Sequence, residues 1–145
     1  MLELLMKLFM SKDKLFKMMT YKVYSNKDIS KVVDKVESVC EKYKFALLHN
    51  YVYHEVVKSK GFPIERKVYI YEVCQAKVAA LVLTNEPSIA PFMPCRVAVY
   101  EEAGQVAIST QNMEVMLNIL KANDELYKQT NELFKTLKSL MNEIK

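Results

Sequence analysis

The spacing of apolar residues divides the centre of the chain into short strands and one helix. Residues 68–73 form an apolar run rich in β-branched and aromatic side chains, too short for a helix, and so predict a strand. Over residues 75–83 the apolar positions recur at helical spacing, which predicts a two-turn helix. Alternating positions at 96–101 and 106–109 predict two further strands, joined by a turn at 102–104.

Residues 85–94 lie between this helix and the next strand and contain three prolines. Each proline lacks a backbone donor and restrains the residue before it, so we expect extended or turn-like structure here. Ten residues are long enough to return the chain to the edge of the sheet from which the helix leaves. We therefore expect the strand that begins at Cys95 to run antiparallel to the one that ends at Cys74, with the two sulfurs near each other.

The first half of the chain predicts a strand at 21–25, a helix at 28–43 and a long strand at 45–57. The inward stripe of this helix is Ile29, Val32, Val33, Val36, Val39 and Cys40. On this pattern Cys40 is a small core residue. Alternation along the long strand places Ala46, Leu48, Val52 and Val56 on one face with His54, and His49, Tyr51 and Tyr53 on the other.

The C-terminal segment, 111–145, predicts helix with apolar residues repeating every seven positions. The apolar stripe contains Met116, Ile119, Leu120, Leu126, Leu133, Phe134, Leu137, Leu140, Met141 and Ile144. A continuous helix of this length would extend about 50 Å, longer than a small sheet can cover. Either it breaks near 122–124, or its distal half packs on another subunit. From the breadth of the stripe we expect a homodimer or larger homo-oligomer with this helix at the interface.

The segment 1–19 is an amphipathic extension in which lysines separate apolar residues, and 20–145 is predicted to be a single α+β domain. The apolar positions of the extension include Leu4, Leu5, Leu8, Phe9, Leu15, Phe16 and Met19. It is too short and too charged to span a bilayer. We favour packing on the domain or a partner, or an extension upstream of a native start, over contact with a membrane surface.

Composition narrows the class of protein. The chain has 145 residues and a net charge of +4, and 19 of its 21 basic residues are scattered lysines, which argues against a nucleic-acid interface. Three dispersed cysteines without a secretory signal predict free thiols and a cytoplasmic location.

The sequence contains no recognisable catalytic motif, and the candidate chemistry centres on Cys74 and Cys95. Cys74 lies where a strand meets a helix N-terminus, and Cys95 lies beside Arg96, so both thiols are expected to have lowered pKa values. The alternative is that both cysteines are packing residues. His49 and His54 point to opposite faces of the predicted strand and cannot both ligate one metal, but either one could join a thiolate, or its copy across a dimer axis, in holding a metal or haem. Tyr51 and Tyr53, with Tyr69 and Tyr71, are candidates for a ligand-binding or interface surface.

Three segments, EVCQAKVAALVL, NEPSIAPFMPCRVAVYEE and GQVAIST, resemble the domain of unknown function 302 family. The resemblance spans about residues 21–116. The chain departs from the family pattern at Gln75-Ala76, where Asn-Pro is common, and at Met93, where Leu is common. The resemblance implies a β-α-β(4)-α fold like that of the TATA-binding protein, often dimeric, with no established activity.

Three functions are consistent with these features. We prefer a non-enzymatic oligomer that binds a small ligand, metal or haem-like cofactor near Cys74 and Cys95. The second hypothesis is a thiol redox protein that uses both cysteines, although no CxxC motif supports it. A structural or adaptor module that acts through its terminal helices is the third.

Overall fold

The computed structural model describes residues 1, 4–5 and 9–145, so the apolar position Leu8 of the predicted extension lies outside the described residues. The N-terminal half contains α1 (Lys12–Met19), β1 (Thr20–Ser25), α2 (Ile29–Val33), α3 (Val36–Lys42), β2 (Ala46–Val52) and α4 (Tyr53–Ser59). The C-terminal half contains β3 (Val68–Cys74), α5 (Ala76–Asn85), a 3₁₀-helix (Pro87–Phe92), β4 (Cys95–Glu102), β5 (Gln105–Gln111), α6 (Glu114–Leu120) and α7 (Asp124–Ile144).

The five strands form one antiparallel sheet in the order β1-β5-β4-β3-β2. In this register Val73 lies opposite Cys95, and Val97 lies opposite Thr110. The predicted α+β class and the antiparallel relation of β3 and β4 are both confirmed.

The core lies between one face of the sheet and the helices, chiefly α7. Its side chains Leu137, Leu140, Met141 and Ile144 are 0% exposed and belong to the same apolar cluster as Val97, Val99 and Ile108 of the sheet. The ring of Phe134 lies edge-on to Tyr21 of β1, with centroids 6.4 Å apart. The helix is thus buried within its own chain along most of its length.

The C-terminal segment breaks where the first of the two predicted alternatives places a break. Helix α6 ends at Leu120, and the side chain of Asn123 caps α7 by accepting a hydrogen bond from the N–H of Leu126 at 3.0 Å. The break turns Ile119 outward, so this residue of the predicted stripe is 66% exposed. Since the distal stripe is buried on the sheet, it no longer argues for a partner, and homo-oligomerisation stays a prediction.

The predicted helix at 28–43 is two short helices separated at Asp34 and Lys35. The β-branched residues Val32 and Val33 have low helix propensity, which favours a break at this point. Cys40 is buried in the core, and the prediction for this residue is confirmed.

The predicted strand at 45–57 is wrong beyond Val52, where helix α4 begins. The register pairs Val52 with Tyr69, the second residue of β3, so residues further along have no partner strand. Their backbone groups are satisfied in a helix instead. A bulge at Leu47–His49 also shifts the alternation, and the predicted assignment of side chains to the two faces fails.

The segment between α5 and β4 is more regular than the predicted extended structure, because a 3₁₀-helix occupies most of it. Pro87 stands in its first turn, where a proline needs no amide donor and its fixed φ suits the helical backbone.

The burial of α7 gives the first testable expectation. Leu140→Ala removes a fully buried side chain and should lower the free energy of unfolding by about 2–5 kcal/mol in urea denaturation. Ile119→Ala, at an exposed helical position, should change it by less than about 0.5 kcal/mol. Equal losses in the two variants would contradict the assignment of the core.

Candidate ligand cavity

A cavity of about 230 Å³ lies at the end of the sheet where β3 stops and β4 begins. Helix α5 and the 3₁₀-helix form one wall, and α6 with the N-terminal half of α7 forms the other. Its apolar lining comprises Val73, Val78, Ala79, Val82, Ile89, Phe92, Met93, Pro94, Met113, Met116, Leu120 and Leu133, and Cys74 and Cys95 lie between the two walls. Gln75, Arg96, Thr110, Gln111 and Thr130 complete it.

Local sequence explains why space remains here. Ala79 faces the cavity with a small side chain between the larger Val78 and Val82 of the same helix. The opposite wall uses Met113 and Met116, whose flexible side chains fill irregular gaps without imposing a fixed shape. The result is a void bounded by helix on two sides and by strand ends below.

Three polar side chains of the lining are hydrogen-bonded within the chain. The hydroxyl of Thr110 donates to the carbonyl oxygen of Arg96 at 2.6 Å, and that of Thr130 donates to the carbonyl oxygen of Leu126 at 2.8 Å. The amide nitrogen of Gln75 donates to the carbonyl oxygen of Tyr43 at 3.3 Å. Among the described residues, no buried side-chain nitrogen or oxygen lacks a partner. The cavity therefore offers mainly apolar surface to an occupant.

Cys74 and Cys95 both line this cavity as free thiols, as the antiparallel arrangement predicts. The register places Val73, not Cys74, opposite Cys95. Successive side chains of a strand point to opposite faces, so Cys74 and Cys95 are not a cross-strand pair. This geometry disfavours a direct disulfide without backbone movement.

The predicted lowering of the thiol pKa values is wrong. Burial raises the pKa of Cys95 to about 11, with a smaller contribution from the negative charge of the neighbouring Cys74. Burial also raises the pKa of Cys74. Arg96 does not offset this, because its Nε lies 3.6 Å from Oε1 of Glu72 and its side chain is largely in solvent. Desolvation therefore outweighs the helix N-terminus and the nearby arginine.

The tyrosine and histidine candidates lie away from the cavity. On β2 the rings of His49 and Tyr51 meet edge to face, with centroids 4.3 Å apart. The ring centroid of Tyr53, at the start of α4, lies 6.4 Å from that of Tyr51. His54, in α4, accepts a hydrogen bond from the N–H of Val68 through Nδ1 at 3.1 Å. None of these four residues lines the cavity.

The four predicted tyrosines do not form a single surface. Tyr51 lies opposite Ile70 and shares its face, whereas Tyr71 is buried in the core and Tyr69 packs against that core. The strand register separates them because neighbouring residues of β3 alternate between faces.

The candidate metal ligands do not come together in the structure. Over residues 1, 4–5 and 9–145, no group of three or more His, Cys, Asp or Glu side chains is placed to hold a metal ion. The cysteines are in the cavity and the histidines are on β2 and α4, so these candidates do not converge.

Sequence reasoning missed the wall formed by α6 and α7. The sequence pattern places Met116 and Leu133 in a helical stripe and Met113 in no site, although all three line the cavity together with Cys95. Only the dense Met113–Met116 pair, which is typical of adaptable apolar surfaces, could have marked it.

The fold and cavity together define a small α+β domain with one helix-covered sheet face and an apolar cavity at the sheet end. The family model described as "Domain of unknown function DUF302" matches residues 21–144, and the chain belongs to this family. The match extends beyond the resemblance at residues 21–116, through the long helix α7.

A solved structure shares this architecture. The crystal structure of an uncharacterized conserved DUF302 protein from Bacillus stearothermophilus superposes with a TM-score of 0.76 at 22% identity, covering 88% of this chain and 99% of that chain. At this identity the likeness shows the fold alone. No curated protein matches the chain. In the part of the chain that the structure describes, no helix combines the length and apolarity needed to cross a membrane.

Raised thiol pKa values predict slow alkylation. In a variant that keeps only Cys95, the fraction of thiol present as thiolate at pH 7 should be about a hundredth of that of an ordinary cysteine, because a pKa of about 11 lies two units above the usual 9.0. Iodoacetamide reacts with the thiolate, so alkylation should be slower by the same factor. The reaction should accelerate about tenfold per pH unit up to pH 10. The same variant unfolded in urea is the control and should show an ordinary thiol profile. A folded-state midpoint below 8 would contradict the burial argument.

Proposed function

We propose that this domain binds a small apolar ligand in the cavity beside Cys74 and Cys95, without catalysing a reaction. The observation that carries the proposal is a void of about 230 Å³ whose lining is mostly apolar and whose threonine hydroxyls are bonded within the chain. An apolar cavity of about 150 Å³ in another protein binds benzene or xenon. The present cavity has room for an aromatic ring or a short alkyl chain.

The size of the cavity limits the ligand class. Pockets for drug-sized molecules usually measure about 300–1,000 Å³, so this one suits a smaller occupant. A haem is larger than that, and the histidines that would ligate it are elsewhere. An organic ligand without charge fits better than a metal or haem, because the lining offers dispersion contacts and few polar groups.

The thiol redox and adaptor hypotheses have less structural support than ligand binding. Thiol redox chemistry needs accessible thiolate, whereas burial raises the pKa of both Cys74 and Cys95. An adaptor that acts through the terminal helices cannot use the apolar stripe of α7, which is buried on the sheet, and is left with the exposed Phe16, Met18 and Met19 of α1.

The cavity can be tested with benzene as the probe. We expect benzene to shift the methyl NMR signals of Met113 and Met116 and to raise the melting temperature, since a ligand that binds only the folded state stabilises it. Ala79→Phe places a ring into the cavity and should abolish both effects.

Ala80→Phe is the matched control, because Ala80 is exposed on the same helix and does not line this cavity. This variant should respond to benzene as the unmodified protein does. The proposal fails if benzene leaves the unmodified protein unchanged, or if Ala79→Phe and Ala80→Phe respond alike.

A further inference from the structure

The two edge strands of the sheet differ in exposure: one of the six residues of β1 is exposed. At the β1 edge, Tyr21 contacts α7 through the ring of Phe134, the ammonium of Lys138 and the side-chain amide of Asn142. At the opposite edge, five of the seven residues of β2 are exposed. No described strand pairs with its outer side, so every second N–H and C=O of β2 points away from the sheet.

The β2 edge lacks most of the features that prevent strands from pairing with other chains. Between Lys44 and Glu55 the sequence contains no Lys, Arg, Asp, Glu or Pro, although 26% of the whole chain is charged. Natural edge strands are commonly protected by such residues. A bulge is present at Leu47–His49, but pairing with β3 is regular from His49 to Val52, which leaves a flat template there.

Apolar side chains flank this template. Leu48 is 55% exposed and Val52 is 37% exposed, and exposed Tyr53 and Val56 of α4 follow directly. The exposed Phe62 of the next loop lies a few residues beyond. An exposed set of this kind next to an unpaired strand is typical of an interaction surface.

We propose that β2 is the interface to a second copy of this chain, with the two β2 strands paired antiparallel across a two-fold axis. The pairing joins two five-stranded sheets into one of ten strands. It satisfies the outward backbone groups of the regular stretch of both edges and brings the partner strand beside Leu48 and Val52.

The absence of charged residues from β2 favours a second copy of this chain as its partner. A two-fold axis through an antiparallel strand pair brings each residue near its own copy or that of a close neighbour, so any charged residue on the strand would face a like charge. The stretch from Phe45 to His54 carries no such residue. The bulge at Leu47–His49 limits regular pairing between the two copies to the stretch from His49 to Val52. This interface differs from the C-terminal helix that the sequence alone predicted.

Light scattering of the full chain over a range of micromolar concentrations tests this interface. The unmodified protein should show a dimer mass. The double variant Leu48→Lys/Val52→Lys changes only exposed positions and should show a monomer mass, because it puts lysines across the axis. Its circular dichroism should match that of the unmodified protein, which shows that the monomer is folded.

Val115→Lys/Ile119→Lys is the control, because it makes the same change at two exposed apolar positions of α6 and should remain a dimer. Hydrogen exchange gives a second readout: the amides of β2 should be protected in the dimer and lose protection on dilution. A monomer mass for the unmodified protein at every concentration overturns the proposal. So does a β2 variant that remains dimeric.

Discussion

Burial of α7 against the inner face of the sheet is the contact on which the other features depend. The C-terminal half of α7 packs directly on the sheet: Leu137, Leu140, Met141 and Ile144 are fully buried in one cluster with strand residues such as Val99 and Ile108. Its N-terminal half is covered by α5 instead, and Thr130 and Leu133 there line the cavity. A single helix thus closes the core at one end and forms a cavity wall at the other. Large-to-small changes near Leu133 are therefore expected to alter cavity volume, whereas those near Leu140 alter stability.

Periodicity predicted the core well where one element supplies the pattern, as for Val32, Val36 and Cys40. It failed where a distant partner decides the structure. The β-branched and aromatic run continues past Val52, but β3 begins at Val68 and offers no strand to pair with it, so the chain turns into α4. The heptad pattern likewise runs through 120–124 without a visible change, whereas the break depends on the cap formed by Asn123. Local propensity is a weak guide wherever tertiary pairing competes with it.

The same distinction applies to the site. Chain length and antiparallel geometry were enough to place Cys74 and Cys95 at one cavity, because the connection between them is short. The opposing wall is formed by residues such as Met113 and Leu133. Tertiary packing brings them there, and no local sequence pattern predicts it. The expected thiol activation failed for a related reason. Only the β3–β4 register reveals that Glu72 lies opposite Arg96, and sequence spacing does not show how deeply Cys95 is buried.

The cavity and the β2 edge occupy separate parts of the molecule. No cavity-lining residue belongs to β2 or α4, so pairing two copies through β2 leaves the lining side chains in place. The nearest connections run through backbone: Ala46 pairs with Cys74, and Gln75 donates to the carbonyl oxygen of Tyr43, just before β2. These contacts hold the start of α5 to the start of β2, at the end of β2 furthest from Val52. A ligand that shifts α5 would therefore reach the proposed interface only by displacing this strand end, and side-chain changes at Leu48 and Ala79 are expected to affect the proposed assembly and the proposed binding independently.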